Sequence, residues 1–323
     1  MSGSVTVYAS DGISYGADIG DLSQLEALGY KYLDDNGVEK DPLELLYDKG
    51  VTAVRIRAFV NPDSSFEWTK NNGTTCYLGY CDTAGVVYTA KRANELGMDI
   101  NLVLHYSDHF ADPEYQDIPS QWADATEEQL SQYVYDYTYY IMNQLASEGI
   151  YPKWVEVGNE VNAGILYPYG SSMTNFERMT EYLNSGYDAV KAVSPNTKVV
   201  THLASVSSDA VVEGNFTWFF DNFNAYGGKT DVIGMSYYPY WTKADIDGAT
   251  YTLANLAHLY DKEVMICETG DLKPIQKEHM ICLEKRLMRL RPFQMIRVWQ
   301  FSTGSRKLIL QFYLTATLWG LQR

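Results

Sequence analysis

Nowhere in the 323 residues do apolar side chains run on for the roughly 18 positions that a bilayer-crossing helix needs, so no membrane partner is expected. The opening Met-Ser-Gly-Ser-Val-Thr-Val-Tyr lacks a charged stretch followed by an apolar one, so no signal peptide is read in this chain. Basic residues are scarce. The 25 Lys and Arg face 41 Asp and Glu, and the resulting charge of −16 repels nucleic acid and anionic surfaces while suiting a neutral substrate. The five histidines show no ligand spacing such as HExxH; no metal site and no cofactor are expected. Four cysteines do not decide the redox compartment. Cys76 and Cys81 lie near enough in a turn-rich segment to close a small loop, with free thiols the favoured state. A glycine-rich phosphate loop is also missing: residues 16–20 lack GxGxxG spacing, which argues against a doubly wound nucleotide-binding sheet.

What is present fits a different α/β design. The hydrophobic share of 46% supports one large core, and the length suits a single (β/α)8 TIM barrel. Aromatic residues make up 14%, with 27 Tyr and 7 Trp, more than a core needs and suited to a groove that stacks on flat sugar faces. Short β-branched runs at 13–19, 51–60, 98–107, 153–160, 197–204, 231–238 and 263–268 predict seven strands. Helical patterns at 42–49, 83–96, 127–148, 175–193, 215–224 and 243–260 lie between them. Gly50, Gly97 and Gly149 stand where helix ends want a left-handed residue.

In such a barrel the functional groups sit at the C-terminal ends of the strands. Glu160 closes Trp154-Val155-Glu156-Val157-Gly158-Asn159-Glu160, and alternation places Glu156, Gly158 and Glu160 on one face. Glu268 ends the apolar run Val264-Met265-Ile266-Cys267. A lone Glu at a strand end is more often a cap or ion-pair partner. Two of them facing each other across a barrel mouth match the pair of carboxyls, roughly 5–5.5 Å apart, that a retaining glycosidase uses. The amide of Asn159 suits a sugar 2-hydroxyl. A guanidinium beneath Glu268 would favour its ionised form, and Arg57, nearer the strand end than Arg55, is the expected donor.

Several strings resemble one family, the endo-β-1,4-galactanases, within the clan of retaining barrel glycosidases. They are YGADIGDLSQLEALGYKYLDDNGVEKDPLELL (15–46), VTAVRIRAFVNP (51–62), YCDTAGVVYTAKRANELGMDINLVLHYSDHFADP (80–113), WVEVGNEVNAGILYP (154–168), DVIGMSYYPYW (231–241) and MICETG (265–270). The resemblance implies Glu160 as acid/base, Glu268 as nucleophile, and Arg57, His105, Asp108, Asn159, His202 and Tyr237 or Tyr238 around the point of cleavage. It also implies a galactan or galacto-oligosaccharide substrate; a secreted parent protein and a monomer are further expectations. Phe110 stands where the family usually has Trp, which keeps stacking area and loses the indole N–H.

After Gly270 the family would continue Tyr-Pro-Trp-Thr, whereas this chain reads Asp271-Leu272-Lys273-Pro274-Ile275-Gln276. Residues 1–270 hold 15 basic and 38 acidic side chains, and residues 271–323 hold 10 and 3. Residues 1–270 are therefore expected to form the catalytic barrel through its first seven βα units. Residues 271–323 are expected to be an atypical basic segment, a diverged or frame-shifted end in place of the eighth unit, that lowers stability. The run 295–301 is the one candidate eighth strand. The calcium loop that some bacterial members carry after strand seven is not recognisable here.

Overall fold

The computed structural model describes residues 14–204, 210–238, 246–269, 299–301, 310–312 and 317–318. Strand β1 (Gly16–Asp18) leads through helices α1 (Leu22–Ala27) and α2 (Pro42–Asp48) to β2 (Ala53–Ala58), which is buried along its whole length. A hairpin of β3 (Glu67–Thr69) and β4 (Thr75–Tyr77) precedes α3 (Thr83–Glu95) and β5 (Asp99–Leu104). Helix α4 (Glu127–Ser147) is followed by β6 (Trp154–Val157) and a second hairpin, β7 (Gly164–Ile165) with β8 (Gly170–Ser171). The alternation continues through α5 (Phe176–Val193), β9 (Lys198–Leu203), α6 (Ala210–Ala225), β10 (Val232–Tyr237), α7 (Ile246–Tyr260) and β11 (Glu263–Thr269).

Strands β1, β2, β5, β6, β9, β10 and β11 pair side by side in that order, all parallel. This is a (β/α)8 barrel whose described residues supply seven parallel strands and leave the eighth unit incomplete. The candidate eighth strand requires correction. Its described part, β12 (Trp299–Phe301), pairs antiparallel with β13 (Leu310–Phe312), and 295–298 lie outside the described residues. The free side of β11 is met instead by the antiparallel β14 (Thr317–Leu318). An antiparallel partner can return through a short loop, whereas a parallel one needs a crossover of a dozen or more residues.

Local sequence accounts for the helix ends. The Asp41 carboxylate accepts from the backbone N–H of Leu43 at 2.8 Å ahead of Pro42 in the first turn of α2, and Asp82 accepts from Gly85 N at 2.8 Å before α3. Thr126 and Gln129 close a reciprocal capping box on α4. Gly50, Gly97 and Gly149 adopt positive φ of 88°, 71° and 74° past their helices, as the pattern predicts.

Two apolar layers result. Ala53, Trp154, Val200, Val232, Met265 and Cys267 fill the barrel interior. A larger cluster, with Ile56, Leu102, Val155, Ile233 and Ile266 among its members, lies between strands and helices. The interior plug separates the polar cluster at the mouth from the ion pairs Lys198–Glu263 and Lys153–Asp99 at the strand starts. Cys76 and Cys81 are free thiols, and burial pushes the Cys81 thiol up to about 12.

Candidate active site

Glu160 reaches the mouth by a turn that alternation does not foresee. The regular strand β6 stops at Val157, and both Gly158 (φ 83°) and Glu160 (φ 48°) take left-handed backbone. Asn159 and Glu160 therefore both face the cleft, where alternation would send Asn159 outward. A Cβ on residue 158 would stand 2.5 Å from Val161 Cγ1, so glycine is required there on both counts. The left-handed Glu160 stores strain of about 1–2 kcal/mol at a position where the surroundings hold it.

Glu268 also depends on a break in regularity. Met265 and Cys267 point into the barrel interior, so strict alternation would turn Glu268 out toward the helices. The ladder between β10 and β11 shifts between Met235 and Ser236: Met235 faces Ile266, yet Ser236 faces Glu268. This bulge re-aims the carboxylate into the cleft. There Oε2 accepts from the Tyr238 hydroxyl at 2.6 Å and Oε1 meets Arg55 Nη1 at 2.9 Å.

The arginine beneath Glu268 is thus Arg55, and the expectation for Arg57 is corrected. Arg57 Nη2 donates to Asp21 at 2.5 Å, and its guanidinium lies over the Phe110 ring, 4.8 Å from the centroid. Both arginines point the same way on β2, so their partners decide their roles. Asp21, beyond the end of β1, draws Arg57 to the cleft wall, and the missing Cβ of Gly20 leaves room for it, since one would fall 2.1 Å from Arg57 Nε. Arg55 is left among Asp18, Glu156 and Glu268.

Glu156 is the buried anchor of this cluster. It accepts from Arg55 Nε at 2.9 Å and Nη2 at 2.8 Å and from Asn101 Nδ2 at 2.6 Å, and His202 Nδ1 stands 2.9 Å away. Burial works to raise its pKa, but Arg55 and His202 outweigh it and hold the carboxyl well below the usual range. Burial likewise opposes a charge on His202, and the Glu156 carboxylate overcomes it and raises the imidazole pKa. Glu160 has the reverse setting: burial first and the nearby charge of Glu268 second push it up to about 7. Burial and Glu268 also hold the Tyr238 phenol well above its ordinary value, so it stays a donor.

The other expected residues divide. His105 and Phe110 line the cleft with Arg57, Asn159, Tyr238 and the two glutamates. His105 accepts from Ala111 N through Nδ1 at 3.0 Å, and burial keeps the ring neutral. Asn159 is positioned through Oδ1 by Arg55 Nη2 at 2.8 Å and donates to the Ala111 carbonyl at 2.8 Å. Asp108 is not in this cleft; it staples two loops by accepting from Asn61 N and Ser120 N at 3.0 and 2.8 Å. Tyr237 packs in the outer core, and Tyr238 is the tyrosine of the pair that meets Glu268. His202 is fully buried and reaches the cleft through Ser236 and through Asn159 Oδ1, 3.1 Å from its Nδ1. Three participants escaped the sequence reading: Asp18 and Asp21, which sit at the same barrel mouth by strand-end position, and Ser236, which opens the Ser-Tyr-Tyr-Pro string of the resemblance but has no assigned role there.

The cleft encloses about 260 Å³. It presents one carboxyl poised to hold a proton near neutral pH and a second that meets a guanidinium and a phenol, a division of environment that suits acid/base work beside nucleophilic attack. Among the described residues, Glu156, His202 and Cys267 bring metal-ligand atoms within 4.8 Å of one another. The Glu156 oxygens already accept from Arg55 and Asn101, so a cation would have to displace those donors.

Comparison with known proteins gives a consistent picture. The family described as Glycosyl hydrolase family 53 matches residues 14–289, a span that continues past Gly270, where the resemblance was expected to end. An arabinogalactan endo-beta-1,4-galactanase of Cellvibrio japonicus is 36% identical over 264 residues, covering 79% of this chain and 65% of that protein. A probable arabinogalactan endo-beta-1,4-galactanase A of Neosartorya fischeri is 35% identical, with 81% and 70% covered. The GH53 catalytic domain of Ignisphaera aggregans superposes with a TM-score of 0.72 at 33% identity, over 82% of this chain and 70% of that one. The chain thus spans slightly less than two thirds of the Cellvibrio japonicus relative. No helix among the described residues is long and apolar enough to cross a membrane.

Proposed function

Because the chain belongs to glycosyl hydrolase family 53, we propose that it cleaves internal β-1,4-galactosidic bonds of galactan and type I arabinogalactan, the side chains of pectin, with retention of configuration. The observation that carries this reading is the unlike pair at one cleft, Glu160 raised to about 7 and Glu268 in contact with Arg55 and Tyr238. In the first step the Glu268 carboxylate attacks the anomeric carbon as Glu160 passes its proton to the departing glycosidic oxygen. In the second, Glu160 takes a proton from water, the resulting hydroxide attacks the anomeric carbon, and Glu268 leaves. Asn159 faces the sugar 2-hydroxyl, and His105, Arg57 and Phe110 form the wall around the same ring.

Protons and electron pairs balance between two carboxyls, one water and the substrate, so the reaction needs no cofactor. All of these groups lie within residues 1–270. The polysaccharide in the relatives' names, arabinogalactan, supports a natural protein that works outside the cytoplasm, and a monomer is expected to suffice because both carboxyls come from one chain.

A panel of galactan, arabinogalactan, xylan, mannan and arabinan tests the reading. Galacto-oligosaccharides should be released from the first two alone. Glu268→Gln should abolish release while sparing galactan binding, and unchanged turnover by that variant would refute the assignment.

A further inference from the structure

Behind Glu160 stands a line of side chains with no direct contact with the cleft. Glu156, on β6, meets His202 Nδ1 of β9 at 2.9 Å. His202 Nε2 lies 2.9 Å from Ser236 Oγ on β10, and Ser236 Oγ lies 2.6 Å from Glu160 Oε1. The directions of these bonds follow from their end groups. The neighbours of His202 Nδ1, Glu156 Oε2 and Asn159 Oδ1, are both acceptors, so Nδ1 carries a proton. Ser236 has one hydrogen, and when Glu160 Oε1 accepts it, His202 Nε2 must donate to the serine oxygen. Both ring nitrogens then carry protons, and the imidazolium sits against the Glu156 carboxylate that balances it.

We propose that Ser236 is a positioning residue for the acid/base: its hydroxyl holds Oε1 of Glu160 as an acceptor, so that the transferable proton rides on Oε2. The inference rests on the reading of Glu160 as acid/base. Without the serine either oxygen can take the proton, and the carboxyl can turn about its last torsion, which is broad for glutamate. The hydroxyl also stabilises the carboxylate form, as does His202 behind it, opposing burial and Glu268. The charged or titratable groups facing Glu160 are Glu268 on β11, His202 on β9, Tyr238 after β10 and Asp112 in the loop after β5. The Ser236 hydroxyl, bonded to Oε1, is the contact that fixes which oxygen is free.

Ser236→Ala in the full chain tests this, with Ser236→Thr as the hydroxyl-restoring control. Two substrates separate positioning from general damage: galactan, whose leaving sugar needs protonation, and 2,4-dinitrophenyl β-1,4-galactobioside, whose leaving group does not. Ser236→Ala should lower kcat/KM on galactan on the order of ten-fold and leave the activated substrate within about two-fold. The alkaline limb of its kcat/KM profile should move to higher pH, because a hydrogen bond to the charged form is lost. A 13C titration of the Glu160 carboxyl should show the same upward movement, and Ser236→Thr should reverse both. Equal losses on the two substrates, or an unmoved Glu160 midpoint, would overturn the proposal. A native chain inactive on galactan would sink the functional reading instead, while the carboxyl titration would still decide the role of Ser236.

Discussion

Arg55 joins two carboxylates that serve different ends: its Nη1 meets Glu268 at the mouth at 2.9 Å, while its Nε and Nη2 hold Glu156 in the interior at 2.9 and 2.8 Å. One planar fork therefore locks the proposed nucleophile to the cluster that also includes His202 and Asn159. Geometry at the reacting carbon and stability of the barrel interior share a single side chain.

Replacing that side chain should separate the pair at large cost. Arg55→Met leaves Glu156, which is fully buried, without its main counter-charge, and removing one partner of a buried pair typically costs about 3–5 kcal/mol. Arg55→Lys keeps the charge and loses the fork, so it should fall between the two. Urea unfolding followed by tryptophan fluorescence gives the order native, Lys, Met. Galactan hydrolysis should fall sharply in both variants. A Met variant as stable as the native chain would contradict the assigned role.

Phe110 forms the wall over which Arg57 lies, and it meets Phe59 edge-on at 5.4 Å between ring centroids. Phe110→Ala removes stacking area and the cation–π contact without touching either glutamate, a loss of roughly 1–2 kcal/mol in binding. Initial-rate kinetics should show KM rising several-fold with kcat little changed, and Phe110→Trp should restore the native KM. A fall in kcat at constant KM would place Phe110 in the chemistry instead.

The barrel and its two glutamates were legible because a (β/α)8 sequence repeats a strong period and its strand tops are predictable places. The choices within the site were not. Arg55 and Arg57 have the same parity on β2 and share Asp18, and what separates them is Asp21 on one and Glu156 with Glu268 on the other, whose positions depend on the fold. Asn159 faces inward only because Gly158 has φ 83°, and Glu268 only because β11 slips against β10 at Ser236. Both are departures from alternation, and alternation is the rule by which the strands were read. Helix α1 also escaped notice: it has six residues and no side-chain cap bond.

Gly158 supplies a direct test of that turn. Gly158→Ala must place a Cβ 2.5 Å from Val161 Cγ1 at φ 83°, and should cost about 1–3 kcal/mol while rotating Asn159 and Glu160 off their partners. Gly149→Ala is the matched control, since φ there is 74° but nothing lies within 4 Å of the added carbon. Thermal melts should show both variants destabilised. Only Gly158→Ala should lose activity, by at least about ten-fold, as misplaced reacting groups do. Equal activity in the two would remove the turn from the mechanism.

The raised pKa of Glu160 has a consequence for stability that does not depend on substrate. Its carboxyl moves from 4.5, the ordinary value, to about 7 in the folded chain, through burial and the charge of Glu268. A folded pKa above the unfolded one means that the native state binds the proton more tightly. The group therefore contributes stability that is fully present below about pH 4.5 and is lost as pH rises through about 7. Glu160→Gln is neutral at every pH and escapes that loss. Above pH 7 the variant should melt at a higher temperature than the native chain, with a difference on the order of 3 kcal/mol fully developed near pH 9. Below about pH 4.5 the two carboxamide-sized groups carry the same charge, and the gap should close. Ser236 can donate to the amide oxygen as it does to the carboxylate, so its hydroxyl keeps an acceptor in the variant. Melting curves taken across this range decide the matter: a gap independent of pH, or one that widens on acidification, would mean that burial and Glu268 do not raise the Glu160 pKa in the folded protein.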